Sequence, residues 1–204
     1  MRTVEVGILG AGNIGRAFAR HLVKAGCRVK LANRHGPASL KPLVGELGPN
    51  ASASAPSEAS RRPIVVVAIP WTELPAAMGG LPSWEGRIVI DANNHILGFD
   101  GKQFQLADLR GRTSSELFSE MVPGARVVKA LNTLPAELLA EEPRVGDARR
   151  VIFISGDEAL SKATVGDLLA NLGFSPIDLG TLAAGGRLQQ AGAPLAGLNL
   201  VRMS

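Results

Sequence analysis

The sequence predicts an α/β fold of the Rossmann type, a doubly wound, mostly parallel sheet with helices on both faces. Two observations support this fold class. Short runs of β-branched residues alternate with helix-like segments along the chain, as strands and crossover helices do in such sheets. A glycine-rich segment, "GAGNIG", joins the first of these runs to the first helix-like segment. At 204 residues, the chain suits a single domain with a substantial core.

The elements are expected to alternate from the N-terminus onwards. Strands are predicted where the runs are short and apolar, because parallel strands are buried on both faces, at residues 4–9, 28–32, 64–69, 87–91, 126–131 and 151–155. Helices are predicted between several of them, at residues 13–25, 40–47, 71–78, 114–121 and 158–172. The segment "ASASAPSEAS" at residues 51–60 predicts a weak strand and a turn, and "FSPIDLG" at 174–180 predicts the final strand.

Composition excludes several classes of protein. No apolar stretch approaches the roughly 18 residues of a membrane span, and the start of the chain lacks a signal-peptide pattern, so we expect a cytoplasmic protein without a membrane partner. The net charge is only +4 and aromatic residues make up 4%, which does not favour nucleic-acid binding. The single cysteine, Cys27, cannot form an intrachain disulfide. No cluster has metal-ligand spacing, so no metal site is expected.

The glycine-rich segment has the spacing of a dinucleotide-binding turn, G-x-G-x-x-G. Gly10 permits a tight turn, Gly12 lets a pyrophosphate approach the backbone, and Gly15 lets the helix pack closely on the strand. The helix that follows directs its free N–H groups and positive dipole end at the phosphates. The predicted pyrophosphate site is therefore Gly10, Ala11, Gly12, Asn13, Ile14 and Gly15. The alternative is a glycine-rich turn without a ligand.

The second predicted strand indicates which dinucleotide is bound. The acidic residue that binds an adenosine ribose is expected about 20 residues beyond the glycine motif, but Asn33, Arg34 and His35 stand there. A guanidinium can bind a 2′-phosphate through paired charge-assisted hydrogen bonds. These residues therefore predict NADP(H) as the cofactor. The alternatives are an exposed arginine in an NAD enzyme and an arginine that stacks on adenine.

Further absences restrict the chemistry. The chain contains no Tyr, which excludes the Tyr/Lys pair of short-chain dehydrogenases, and it lacks the G-x-S-x-G turn of hydrolases. After the nucleotide-binding unit we do not expect the long helical domain of many imine, hydroxyacid and ketone reductases. A reaction partner must therefore bind close to the carboxyl edge of the sheet.

Three stretches at that edge carry a family resemblance. "AIPW" at 68–71, "DANNH" at 91–95 and "KALNT" at 129–133 each follow a predicted strand. Together with "GAGNIG" and "ANRH", they resemble the deazaflavin-dependent NADP reductases, which transfer hydride between NADPH and coenzyme F420. They are equally similar to the NADPH-binding domain of the STEAP metalloreductases.

The resemblance implies roles for particular residues. It places Asn33 and Arg34 on the 2′-phosphate, Asn93 within the cofactor site, and Asn132 and Thr133 beside the acceptor. Three residues, Ile69, Pro70 and Trp71, would border the nicotinamide. Archaeal deazaflavin reductases often carry His where this sequence has Asn132, which leaves FMN or FAD as alternative co-substrates to coenzyme F420.

Direct hydride transfer between stacked rings needs little acid or base help from the protein. His95 is the candidate for a proton role or a hydrogen bond to the acceptor, and its alternative is a loop histidine without a role. We expect a dinucleotide-binding domain at 1–182 and, at 183–204, a tail that packs near the acceptor, with Arg187 as a possible anion contact. The partners expected are a small-molecule acceptor and, as a possibility, a second copy in a homodimer. A redox sensor or scaffold that binds NADP(H) without turnover is the alternative to an enzyme.

Overall fold

The structure is a computed structural model that describes residues 4–203. Residues 1–3 of the predicted domain (1–182) and residue 204 of the predicted tail (183–204) lie outside the described part. The strands are β1 (Glu5–Leu9), β2 (Arg28–Ala32), β3 (Ala51–Ala53), β4 (Ile64–Val67), β5 (Ile88–Asp91), β6 (Ile96–Phe99), β7 (Phe104–Leu106), β8 (Arg126–Lys129), β9 (Arg144–Val145), β10 (Ala148–Gly156), β11 (Ser175–Asp178) and β12 (Val201–Met203). The helices are α1 (Asn13–Lys24), α2 (Lys41–Leu47), α3 (Pro56–Ala59), α4 (Leu74–Met78), α5 (Ser114–Met121), α6 (Ala136–Ala140), α7 (Ala159–Asn171) and α8 (Ala184–Gln189), with 3₁₀ turns at Pro37–Leu40 and Trp71–Glu73.

The main sheet has the strand order β11-β10-β8-β5-β4-β1-β2-β3. The six strands from β8 to β3 are parallel to their neighbours, whereas β10 runs antiparallel to β8. The order reverses between β1 and β4, which is where open α/β sheets bind ligands at their carboxyl ends. The predicted Rossmann-type fold class is confirmed.

Both faces of the sheet are buried, which explains the continuous apolar runs of the central strands. In β4, Ile64 and Val66 pack into the cluster that includes Phe18 of α1. Val65 and Val67, one residue out of phase, pack into the opposite cluster with Phe118 of α5. Because successive side chains of a strand point to opposite faces, β4 must be apolar at every position.

Several element boundaries differ from the prediction. The turn expected within residues 51–60 contains a short helix, α3, which begins at Pro56. The helix expected at 71–78 divides into a 3₁₀ turn and α4. The strand expected to reach residue 131 ends at Lys129, and Leu131 adopts a φ of 67°, a left-handed conformation that does not continue a strand.

Several further elements were not anticipated from the sequence. Strands β6 and β7 form a separate two-stranded hairpin, and β9 and β12 both pair antiparallel with the start of β10. Helix α6 was not predicted either. Within residues 4–203, no helix combines the length and the hydropathy needed to cross a membrane.

Candidate functional site

The glycine turn between β1 and α1 has the geometry that its spacing predicts. Gly10 has a φ of 103°, and a Cβ there would lie 2.1 Å from the carbonyl oxygen of Ala68. At Gly15, a Cβ would lie 2.0 Å from the carbonyl oxygen of Gly10. By contrast, a Cβ at Gly12 would meet no atom within 4 Å. Gly12 therefore has no steric need of its own for glycine, and its bare backbone faces open space where a ligand can approach.

Helix α1 begins directly after this turn and presents its N-terminus to the same space. Gly12 is its N-cap and makes no side-chain cap, and the first turn contains no acidic residue. The first N–H groups of an α-helix have no partners within the helix and favour anions. Arg16 adds a positive charge here, with its Nε donating to the carbonyl oxygen of Ala11 at 2.8 Å.

The loop after β2 is held by the side chain of Asn33. Its Nδ2 donates to Ser39 Oγ at 2.9 Å, and its Oδ1 accepts from the backbone N–H of His35 at 2.9 Å. Asn33 therefore braces the loop from within. The structure leaves Arg34 as the exposed cation of this loop, and its Nη1 lies 2.5 Å from Glu73 Oε1.

A cavity of about 690 Å³ connects the glycine turn to this loop. Its volume lies in the range of sites that enclose small-molecule ligands. The predicted site residues that line it are Gly10, Ala11, Gly12, Asn33, Arg34, His35, Ile69 and Pro70. The open backbone at Gly12, the uncapped helix end and the cation at Arg34 fit a phosphorylated dinucleotide.

The other predicted cofactor residues do not line this cavity. Asn13 and Ile14 lie in the first turn of α1, and Gly15 is buried against Gly10. Trp71 follows Pro70, which lines the cavity, and its own ring stands against His95. Asn93 is 4% exposed, and its Oδ1 accepts from the backbone N–H of Ile69 at 2.8 Å, so it positions the loop after β4.

A buried ion pair supports Asn93 from beneath. Lys129 Nζ lies 3.2 Å from Asp91 Oδ2, and both side chains are fully buried. Lys129 also donates to the carbonyl oxygen of Asn93 at 3.0 Å, while Asp91 Oδ1 accepts from Asn93 Nδ2 at 2.8 Å. The ends of β5 and β8 are thereby tied together beneath the predicted nicotinamide edge.

The edge assigned to the acceptor is covered by the tail. Asn132 is 7% exposed, and its Nδ2 donates to Asn94 Oδ1 at 3.0 Å and to the carbonyl oxygen of Gln189 at 2.7 Å. Gln189 returns a bond from its Nε2 to Asn132 Oδ1 at 2.9 Å. Because both N–H donors of Asn132 are used by the protein, its contact with an acceptor stays a prediction and requires the tail to move.

Thr133 is covered in the same way. It is 2% exposed, and its carbonyl oxygen accepts from the N–H of Gly197 at 2.8 Å. Arg187, the possible anion contact, is exposed, and its Nη2 donates to the carbonyl oxygen of Gly111 at 2.9 Å.

His95 lies at this edge and has unused hydrogen-bonding capacity. It is 4% exposed, its ring stands edge-on to Trp71 with centroids 6.4 Å apart, and its Nδ1 is buried without a hydrogen-bond partner among residues 4–203. Burial lowers the pKa of His95, and the positive charge of Lys129 lowers it further. The imidazole is therefore neutral at neutral pH and suits hydrogen bonding better than donation of a proton as an imidazolium.

Several lining residues were not identified from the sequence. They include Arg16, Pro56, Ser57 and Glu73. Arg16 follows the last glycine of the motif directly, so its position in the first turn of α1 was the available signal. Pro56, Ser57 and Glu73 reach the cavity only through the fold, and no local pattern marks them.

Comparison with known proteins extends this description. Residues 5–95 match the family "NADP oxidoreductase coenzyme F420-dependent". A hypothetical protein of Sinorhizobium meliloti, SMa0349, has a solved structure that is 42% identical, covers 98% of this chain and 96% of that chain, and superposes with a TM-score of 0.90. The solved structure of a proposed F420-dependent NADP reductase of Arthrobacter sp. FB24 is 28% identical, covers 88% of this chain and 85% of that chain, and has a TM-score of 0.76.

The rat metalloreductase STEAP3 (Rattus norvegicus) is also similar, with 29% identity over 181 residues, which are 88% of this chain and 34% of that protein. The chain spans about a third of the length of the metalloreductases that it matches. The resemblance to deazaflavin-dependent NADP reductases and to metalloreductases, expected from the sequence, is confirmed.

Proposed function

We propose that this chain, which belongs to the same family as the Sinorhizobium meliloti protein, is an NADP(H)-dependent oxidoreductase. Its residues 5–95 match the F420-dependent NADP oxidoreductases. Its reaction is the transfer of a hydride between NADPH and a diffusible ring acceptor, either the deazaflavin coenzyme F420 or a flavin such as FMN or FAD. The observation that carries the proposal is the cavity that joins the open backbone of Gly12 to the guanidinium of Arg34. The cytoplasmic location and the homodimer expected from the sequence stay predictions.

The binding of the cofactor divides among three parts of the cavity. The N–H groups at the start of α1 and the side chain of Arg16 receive the pyrophosphate, because both carry positive charge without a local carboxylate. Arg34 receives the 2′-phosphate. Asn93 holds the backbone of Ile69, and the loop after β4 lines the cavity with Ile69 and Pro70.

A bound nicotinamide would supply the hydride. The chain itself then needs only to hold the nicotinamide against the acceptor ring and to exclude competing reactions. The neutral imidazole of His95 can give or accept one hydrogen bond at Nδ1 without changing its charge. The network of Asn132 and Gln189 holds the tail over the edge. An acceptor that contacts Asn132 must therefore replace its bonds to the tail.

The test is NADPH oxidation by the purified chain, followed with coenzyme F420, FMN, FAD and a ferric chelate supplied in parallel. We expect turnover with the deazaflavin or with a flavin. Tight NADPH binding without turnover on any acceptor would support a redox sensor instead. A chain that does not bind NADPH at all would remove the proposal.

A further inference from the structure

An ion pair closes the cavity on the side assigned to the 2′-phosphate. Arg34 follows β2, and Glu73 ends the 3₁₀ turn after β4, so the two residues approach from different strands. Their side chains meet with Nη1 2.5 Å from Oε1. Both residues line the cavity, and within residues 4–203 Glu73 is the only carboxylate that does so.

This arrangement gives one guanidinium two anionic partners. An arginine has five N–H donors in a fixed fork, and here Nη1 is engaged by Glu73 while Nε lies 3.4 Å from His35 Nε2. A 2′-phosphate bound to the same fork would lie within a few ångströms of the carboxylate. Like charges at that distance repel each other.

We propose that Glu73 competes with the 2′-phosphate for Arg34 and thereby lowers the preference of the site for NADP(H) over NAD(H). This inference rests on the proposed function, since it assumes that the cavity binds a nicotinamide dinucleotide. In the absence of nucleotide, Glu73 neutralises Arg34. When NADP(H) binds, the phosphate must break this pair or share the guanidinium with it. NAD(H) lacks the phosphate and leaves the pair largely undisturbed.

The loop geometry argues against a purely orienting role for Glu73. The backbone around Arg34 is set by Asn33, which bonds to Ser39 and to the N–H of His35. The backbone position of Arg34 therefore does not depend on Glu73. What Glu73 changes is the charge that a ligand meets at the guanidinium.

The expected effect is moderate, because the side chains of Arg34 and Glu73 are 67% and 37% exposed. Exposed ion pairs are weak and are screened by solvent and salt, so Glu73→Gln should tighten NADPH roughly three- to tenfold and change NADH by less than about twofold. The difference should shrink as salt is raised from about 0.05 M to about 0.5 M, where charges are screened over a few ångströms.

The experiment is a titration of the wild type and of Glu73→Gln with NADPH and NADH, and with 2′,5′-ADP and 5′-AMP as probes of the phosphate alone. Glu46→Gln is the matched control, because Glu46 pairs with Arg20 on α1 in the same way but does not line the cavity. In an Arg34→Ala background, Glu73→Gln should tighten NADPH less than it does in the wild type, because only the direct repulsion between carboxylate and phosphate remains. Thermal melts of each variant separate binding from unfolding.

Three results would overturn the inference: weaker NADPH binding in Glu73→Gln, unchanged NADPH binding in that variant, or an equal gain for all four ligands. In each of them the wild type still binds NADPH, so the proposed function stands. A wild type that binds neither NADPH nor 2′,5′-ADP would contradict the proposed function itself. The two failures are therefore distinguishable.

Discussion

A pair of glycine substitutions separates the binding role of the turn from its structural role. Gly12 has φ −74° and ψ −168°, a conformation that any residue adopts, and a Cβ there meets no atom within 4 Å. Gly12→Ala should therefore fold, with a cost of about 1 kcal/mol or less from the poorer N-cap. Its methyl group points into the cavity and blocks a phosphate from the backbone N–H groups. Losing one charge-assisted hydrogen bond costs about 1.5 to 3 kcal/mol, or roughly 10- to 100-fold in affinity.

Gly15→Ala should behave in the opposite way. Its Cβ would lie 2.0 Å from the carbonyl oxygen of Gly10 and 3.3 Å from Ile8 Cγ2, so the strand and helix must separate by more than about 1 Å to restore ordinary contact. Forced repacking of this kind costs about 1 to 3 kcal/mol or more. The loss should appear in the free energy of unfolding, measured with urea.

Both variants should be titrated with NADPH and with NADH and unfolded in parallel. We expect Gly12→Ala to lose affinity for both nucleotides while retaining its stability. A Gly12→Ala variant that binds NADPH as tightly as the wild type would refute the assignment of this turn to the pyrophosphate. A stable Gly15→Ala would show that the strand and helix do not need the close approach seen here.

Three further predictions concern single side chains. Arg34→Ala should weaken the binding of NADPH roughly 5- to 30-fold and leave the binding of NADH nearly unchanged, because the contact with the 2′-phosphate is charge-assisted but exposed. Arg20→Ala, outside the cavity, is the control in the same titration. Equal losses for both nucleotides in Arg34→Ala would contradict the assignment of Arg34 to the 2′-phosphate. Gln189→Leu should lower the free energy of urea unfolding by about 2 to 4 kcal/mol, since Gln189 is fully buried and its partners would be left unsatisfied. As a control, Gln103→Leu, at an exposed position, should change this free energy little. A Gln189→Leu variant as stable as the wild type would show that the hydrogen bonds of Gln189 are dispensable. Because burial in the folded state lowers the pKa of His95, the unfolded state binds the proton more readily, and the stability that the neutral imidazole contributes above the unfolded-state pKa is lost as pH falls through that pKa towards the folded-state value. Between about pH 7.5 and about pH 5, the free energy of unfolding should therefore decrease less steeply for His95→Gln than for the wild type. Identical slopes would mean that His95 does not titrate in this way.

Much of the fold could be predicted because the relevant signals are local. The helix at Ser114–Met121 begins at the predicted residue, since Thr113 and Glu116 form a capping box three residues apart. The strand at Arg28–Ala32 has its predicted bounds as well. The strand expected to reach residue 131 was too long, because the left-handed Leu131 leaves no mark in a run of apolar residues.

The cavity could be predicted only in part. Gly10, Gly12 and Arg34 were found because a short motif and a strand end carry their chemistry. Glu73 was not found, since it meets Arg34 from 39 residues away. The tail was expected near the acceptor edge, but the bonds that place Gln189 against Asn132 span 57 residues, and their polar atoms give no periodic signal.

The sequence by itself determined the sheet, the glycine turn and the kind of cofactor that suits it, because hydrophobic period, glycine spacing and the charge at a strand end are properties of neighbouring residues. Only the tertiary structure decided that Glu73 neutralises Arg34, that Asn132 donates to Asn94 and to Gln189 of the tail, and that burial beside Lys129 lowers the pKa of His95. The physical reason is that hydrogen-bond partners, desolvation and charge at a site depend on which distant segments the fold brings together.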